Sequence, residues 1–177
     1  MNTNTKGPMR ILDLASKCKK PITYIHMSTA YVGSWNPSGT KVLEELPKVN
    51  IDPEVLLEQL KTMTPEEITK KTPEWIGTHQ NTYTFSKALG ETMLERHRGK
   101  TAVGIVRPSI IVNAFSDPEP GWIENLSGAS AVALFSNLGR CPVVEGQLHT
   151  TLDLIPVDFV TNATIAAAWD VTELHKE

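Results

Sequence analysis

Two cysteines in 177 residues, Cys18 and Cys141, make neither a disulfide framework nor a metal-ligand pattern, and they read as reduced thiols in an intracellular compartment. The five histidines are scattered, with no H-x-x-x-H pair, so no metal site is expected. No apolar run approaches the length needed to cross a bilayer, and no secretory leader is legible at the amino terminus. Charge of one sign is also missing. The formal net charge is −3, and the densest basic run, "SKCKK" at 16–20, belongs to the end of a helix, where cations suit the dipole. That argues against nucleic acid as a partner. What remains, 40% hydrophobic and 21% charged residues, suits one globular domain with a sizeable core.

A glycine-rich turn of the G-x-G-x-x-G kind is absent as well. The elements that are present still alternate in an α/β manner. "NTNTKGPMRILDLASKCKK" has Pro8 early and then Met9, Ile11, Leu12, Leu14 and Ala15 at helical spacing, and "PITYIHMS" is rich in β-formers and ends in the hydroxyl pair Ser28–Thr29. Asp52–Pro53 and Thr64–Pro65 are helix-start signals. A helix is expected from about Tyr83 to Arg98, closed by Gly99, with Tyr83, Leu89, Met93 and Leu94 on or near its buried side. "TAVGIV" reads as a buried strand stopped by Pro108 and followed by a loop. "SDPEPGW" is turn chemistry, a helix is expected over Ser127–Leu138, and a last helix is capped near Asp158. Two strongly apolar strands cannot close a sheet. The expectation is therefore a partial doubly wound, Rossmann-type parallel sheet whose N-terminal glycine-rich half is missing, with residues 1–177 a fragment of a nicotinamide-dinucleotide domain.

Three features then fall in order: hydroxyls at a strand end (Ser28, Thr29), Tyr83 and Lys87 one helical turn apart, and Arg107–Pro108–Ser109 after the next strand. In open α/β sheets, ligands bind beyond the carboxyl ends of the strands. Adding hydride to a carbonyl builds negative charge on oxygen, which needs a hydrogen-bond donor and then a proton. Tyrosine, with a pKa of about 10, is too weak an acid near neutrality, and an ammonium one turn away favours its phenolate. An isolated Y-x-x-x-K is commonplace, usually a surface tyrosine near a solvated lysine, so the pair carries weight only through its companions.

Those companions are specific. "HMSTAYV", "NTYTFSKALGE", "VGIVRPSIIV", "PEPGWIENLSG" and "DLIPVDFVTNATIAAAW", collinear over nearly the whole chain, resemble the alcohol-forming fatty acyl-CoA reductases, a branch of the extended short-chain dehydrogenase/reductases. The resemblance implies NADPH-dependent reduction of a fatty acyl-CoA thioester to a fatty alcohol, through an aldehyde. It implies Tyr83 as general acid, Lys87 as its partner that also holds the nicotinamide ribose, and Thr29 as the third member, with Ser28 the alternative. Pro108, Ser109 and Ile110 would line the nicotinamide, and Asn4 resembles an asparagine that opens the preceding helix. The apolar stretch 121–138 would line part of the acyl path. The family also implies a peroxisomal or endoplasmic reticulum membrane location, and leaves room for membrane association through regions outside these residues.

Other residues have plainer readings. Trp122 suits a channel wall or a loop anchor equally. Trp169 reads as helix packing, and Trp35 and Trp75 as members of irregular segments. His79 reads as a solvated loop histidine, and Arg107 as either a phosphate contact or the partner of a carboxylate. Two competing function classes share the Tyr/Lys pair or the missing turn: a reductase or epimerase acting on nucleotide sugars or steroids, and a non-catalytic fragment.

Overall fold

The computed structural model describes residues 1–37, 39–126, 128–143, 145–147 and 149–175. The chain divides into two units, Met1–Arg107 with Ala167–Glu177, and Pro108–Ala166.

In the first unit, α1 (Lys6–Ser16) leads to β1 (Thr23–Met27), which ends in a 3₁₀ turn (Ala30–Trp35). Helices α2 (Pro53–Gln59), α3 (Pro65–Ile76) and α4 (Thr82–His97) precede β2 (Ala102–Val106). The helix starts follow the cap chemistry in the sequence. Asp52 accepts from the N–H groups of Glu54 and Val55, and Thr64 and Glu67 form a reciprocal capping box. Asn81 caps α4 by accepting from the Thr84 N–H.

Strands β1 and β2 pair in parallel, Thr23 opposite Ala102 through Met27 opposite Val106. Side chains alternate across such a ladder. Ile25 and Gly104 share a face with the last turns of α6 (Val157–Leu174): a Cβ on Gly104 would lie 2.8 Å from Ile25 Cδ1 and 3.0 Å from Val171 Cγ2. Thr23 also bonds Thr172 there. Tyr24 and His26 therefore point to the opposite face, where α1 and α4 lie. Helices on both faces of a parallel ladder are the doubly wound arrangement the sequence announces.

The core of this unit is built on α4. Leu56 of α2, Trp75 of α3, and Phe85 and Leu89 of α4 bury one another. Side chains of this size contribute about 1.5–3 kcal/mol each when fully buried. Two expectations fail here. Trp75 lies on α3 and is a core residue, because the capped α3 runs on to Gly77 and does not stop short of it. His79 is buried: its Nε2 meets the Lys48 carbonyl at 3.1 Å and its ring tilts against Phe85. Trp169 is a third correction. It is 68% exposed on α6, so it packs against nothing substantial in the described residues.

The second unit holds β3 (Ile110–Val112), α5 (Gly128–Asn137) and β4 (Leu154–Pro156). Strand β3 replaces the expected loop. Pro108 stops β2, but the β-branched run Ile110–Val112 resumes extended structure and pairs in parallel with β4. Residue 127, the expected start of α5, lies outside the described residues. Asp158 does more than begin a helix: its carboxylate accepts from the N–H groups of Phe115, Ser116 and Asp117, fastening that loop to the first turn of α6. Burial pushes this carboxyl up, but the backbone donors outweigh it and hold the pKa at about 2.

Candidate active site

Beyond the carboxyl end of β1, the first unit gathers most of the residues the sequence singled out. Ser28 continues the strand, its N–H donating to the Val106 carbonyl at 2.8 Å. Its side chain is buried, and its Oγ has no partner. Thr29, also buried, caps the 3₁₀ turn, its Oγ1 accepting from the Tyr31 N–H at 3.3 Å. A hydroxyl held through its lone pair keeps its O–H proton available to donate.

Helix α4 brings Tyr83 and Lys87 to one side. Tyr83 is 50% exposed, which corrects the expectation that it lies on the buried side. Its neighbours Phe85 and Leu89 point the other way into the core, since residues two apart on a helix face nearly opposite directions. Lys87 is half-buried, and its Nζ donates to the Met27 carbonyl at 2.9 Å, which ties the middle of α4 to the end of β1. Burial lowers the Lys87 pKa, and the nearby Glu91 carboxylate opposes that.

Glu91 is one turn beyond Lys87 and was not singled out from the sequence. Its side chain is wholly buried, and Arg107 grips it with two bonds, Nε to Oε1 at 3.1 Å and a terminal nitrogen to Oε2 at 2.6 Å. Arg107 also donates to the Glu45 carbonyl at 2.8 Å. Of the two readings of Arg107, the carboxylate partner is the one observed. The signal available in the sequence was spacing alone: Tyr83, Lys87 and Glu91 repeat at four-residue intervals and so share a stripe.

His26 was also missed as a site residue. It is 6% exposed, with Nδ1 at 3.4 Å from the Tyr24 hydroxyl and Nε2 buried without a partner. Burial first, and the charge of Lys87 second, lower its pKa to about 4. Period-two spacing with Ser28 on the same face could have found it.

Asn4 donates from Nδ2 to Ser86 Oγ at 3.0 Å, and Thr5 donates to the Ser86 carbonyl at 2.9 Å, so the start of α1 is docked on α4. Beside Tyr83, a cavity of about 440 Å³ is lined by Asn4, Ile68, Thr72, Trp75, Phe85 and Ser86 among others. In the second unit Pro108 is buried, Ser109 is half-buried, and Ile110 opens β3. Between 121 and 138, Trp122, Leu126, Val132 and Leu134 are exposed apolar side chains. No group of three or more potential metal ligands and no helix long and apolar enough to cross a membrane occurs among the described residues.

Comparison with known proteins gives the chain a family. The family model described as "Male sterility protein", an NAD-binding family, matches residues 1–164. Fatty acyl-CoA reductase 1 of Xenopus laevis is 37% identical over 169 residues, 96% of this chain and 32% of that protein. Fatty acyl-CoA reductase 2 of Mus musculus is 33% identical over 98% of this chain and 33% of its own length. Fatty acyl-CoA reductase 1 of Homo sapiens is 33% identical over 94% of this chain and 32% of its own. The chain thus spans about a third of the length of the relatives it matches.

Proposed function

Since the chain belongs to the male sterility protein family of NAD-binding domains, we propose that it carries the proton-donating half of an enzyme that reduces a fatty acyl-CoA to a fatty alcohol and CoA. The names of its relatives supply the substrate class. The observation that carries the reading is Lys87, held by the Met27 carbonyl one turn from a half-exposed Tyr83, beside two buried hydroxyls.

The cofactor class is a nicotinamide dinucleotide, and NADPH is the form proposed, on the resemblance of the motifs. When bound, it supplies hydride to the carbonyl carbon. The residues present fit its nicotinamide end. Lys87 commits one N–H to Met27, and Ser28 Oγ is a buried hydroxyl without a partner. They offer no glycine-rich turn for the pyrophosphate. Pro108, Ser109 and Ile110, which follow β2 directly in the chain, are assigned to the nicotinamide side on the resemblance alone.

In this reading Tyr83 gives its phenolic proton to the substrate oxygen as charge develops there. Lys87 stabilises the phenolate left behind, and Thr29, or alternatively Ser28, donates a hydrogen bond to the same substrate oxygen. In the thioester step the protonated oxygen returns its proton to the Tyr83 phenolate as the sulfur departs as thiolate, which leaves the aldehyde. In the aldehyde step the protonated oxygen becomes the alcohol.

The test is Tyr83→Phe in the complete enzyme. Loss of a positioned acid lowers kcat on the order of a hundredfold or more, with cofactor binding retained. Turnover at the wild-type rate would remove Tyr83 from the chemistry.

A further inference from the structure

We propose that the cavity beside Tyr83 receives the acyl chain of the substrate, and that Ile68 and Thr72 of α3 set the length of chain it takes. The proposal rests on the reading of Tyr83 given above.

The cavity, about 440 Å³, is built from residues of the first unit. Its apolar wall is Leu60 at the end of α2, Ile68, Trp75 and Ile76 of α3, and Phe85 of α4. Ile68, Thr72, Trp75 and Ile76 recur at helical spacing, so α3 turns one continuous stripe toward the cavity. Leu60, Ile68 and Ile76 pack against the core cluster that holds Trp75 and Phe85, yet they stay only partly buried. Apolar surface is left over for an occupant to cover, and covering it is favourable.

The polar groups in the wall decide what that occupant is. Thr72 donates its hydroxyl to the Ile68 carbonyl at 2.7 Å. Ser86 Oγ accepts from Asn4 Nδ2 at 3.0 Å and donates to the Tyr83 carbonyl at 2.9 Å. Among the described residues, none of the buried polar atoms that lack a partner lines the cavity. Thr82 and Tyr83, adjacent at the start of α4 and both exposed, put the reachable hydroxyls at one place.

A thioester carbonyl at Tyr83 sends two arms away from itself, the acyl chain and the pantetheine arm of CoA. The volume lies in the range of sites that hold one small molecule, about 300–1,000 Å³, which is room for one arm. The pantetheine arm carries amide groups, and against a wall whose hydroxyls are already spent they would be buried unpaired, which is costly. Methylenes make no such demand. Lys87, Ser28 and Thr29 are not wall residues, so Tyr83 is where the chain site meets the reacting groups.

Photolabelling of the complete enzyme tests the site. A palmitoyl-CoA analogue with a diazirine within the acyl chain should mark α3 at Ile68 or Thr72, and unmodified palmitoyl-CoA should compete the label away. Label confined to residues 121–138, or absent from α3, overturns the proposal. So does a diazirine on the pantetheine arm that marks the same α3 residues. Thr72→Phe, which fills the cavity, should lower the kcat/KM ratio of palmitoyl-CoA to octanoyl-CoA about tenfold or more, the low end of what one methylene is worth in an apolar pocket. An unchanged ratio overturns the assignment of Thr72 as a length determinant. Where Thr72→Phe does not fold, Ile68→Trp is read on the same criterion, and the labelling needs no variant at all. Labelling needs no turnover either. Label on α3 in an enzyme whose Tyr83→Phe variant is fully active faults the reading of Tyr83 and leaves the chain site standing; no label on α3 with an inactive Tyr83→Phe faults the chain site alone.

Discussion

A phenol that donates a proton to a bound molecule has to meet it, and the half-exposed ring of Tyr83 satisfies that requirement better than a core position would. Lys87 has the opposite need. Its ammonium must be held, and the Met27 carbonyl holds it. His26 makes a further prediction independent of catalysis. Its folded pKa of about 4 lies below the ordinary value of 6.5. As pH falls through 6.5 the unfolded chain takes up a proton that the folded chain refuses, so stability is complete above 6.5 and declines toward pH 4. Urea midpoints measured across that window should fall, and His26→Phe should flatten the slope. A slope that survives the substitution assigns the effect elsewhere. At this scale, spacing revealed Tyr83 and Lys87, because four residues on a helix mean one face. It was blind to His79 and Trp169, whose burial depends on what the rest of the chain brings against them.

Among the elements, α4 carries the site and the core at once. Phe85 and Leu89 pack under α2 and α3 while Tyr83, Lys87 and Glu91 form the other stripe. The Glu91–Arg107 pair fixes the end of β2 to that stripe. Removing one partner of a buried pair leaves an uncompensated charge, so Glu91→Gln is expected to cost about 3–5 kcal/mol, and the double change to Glu91→Leu with Arg107→Leu considerably less. Denaturant melts of the two variants separate a buried pair from an incidental contact, for which single and double changes would cost alike. The approach of α1 to α4 is as tight: a Cβ on Gly90 would stand 2.3 Å from the Asn4 carbonyl oxygen. Gly90→Ala should therefore destabilise by about 1–3 kcal/mol, the range for overpacking, against the usual gain of a helical alanine. Element starts were legible where Asp52 and Thr64 announce them chemically, whereas the Asn81 cap of α4 went unread. Strand β3 was not, because Pro108 reads as an end and three residues are too few to show a period.

Across the whole molecule, the two described sheets have two strands each, and apolar side chains remain on view: Ile11 and Leu14 on α1, Ile165 and Trp169 on α6. The relatives are about three times as long as this chain. The doubly wound plan was readable from the order of elements, but the number of strands each sheet would have was not, since pairing depends on partners distant in sequence. A dinucleotide is held mainly at its pyrophosphate, by backbone N–H groups of a glycine-rich turn and the helix that follows. These 177 residues contain no such turn, while Lys87 and the hydroxyls of Ser28 and Thr29 are proposed to address only the nicotinamide end. A protein made of these residues alone is therefore expected to bind NADPH weakly, without measurable reductase activity, and to self-associate through its uncovered apolar faces and strand edges. Titration by calorimetry, with light scattering on the same sample, decides the point. Binding of NADPH at about micromolar Kd, near −8 kcal/mol, by a monodisperse monomer would require a phosphate cradle among these residues. The first place to look would then be the backbone N–H groups of the turn after β1.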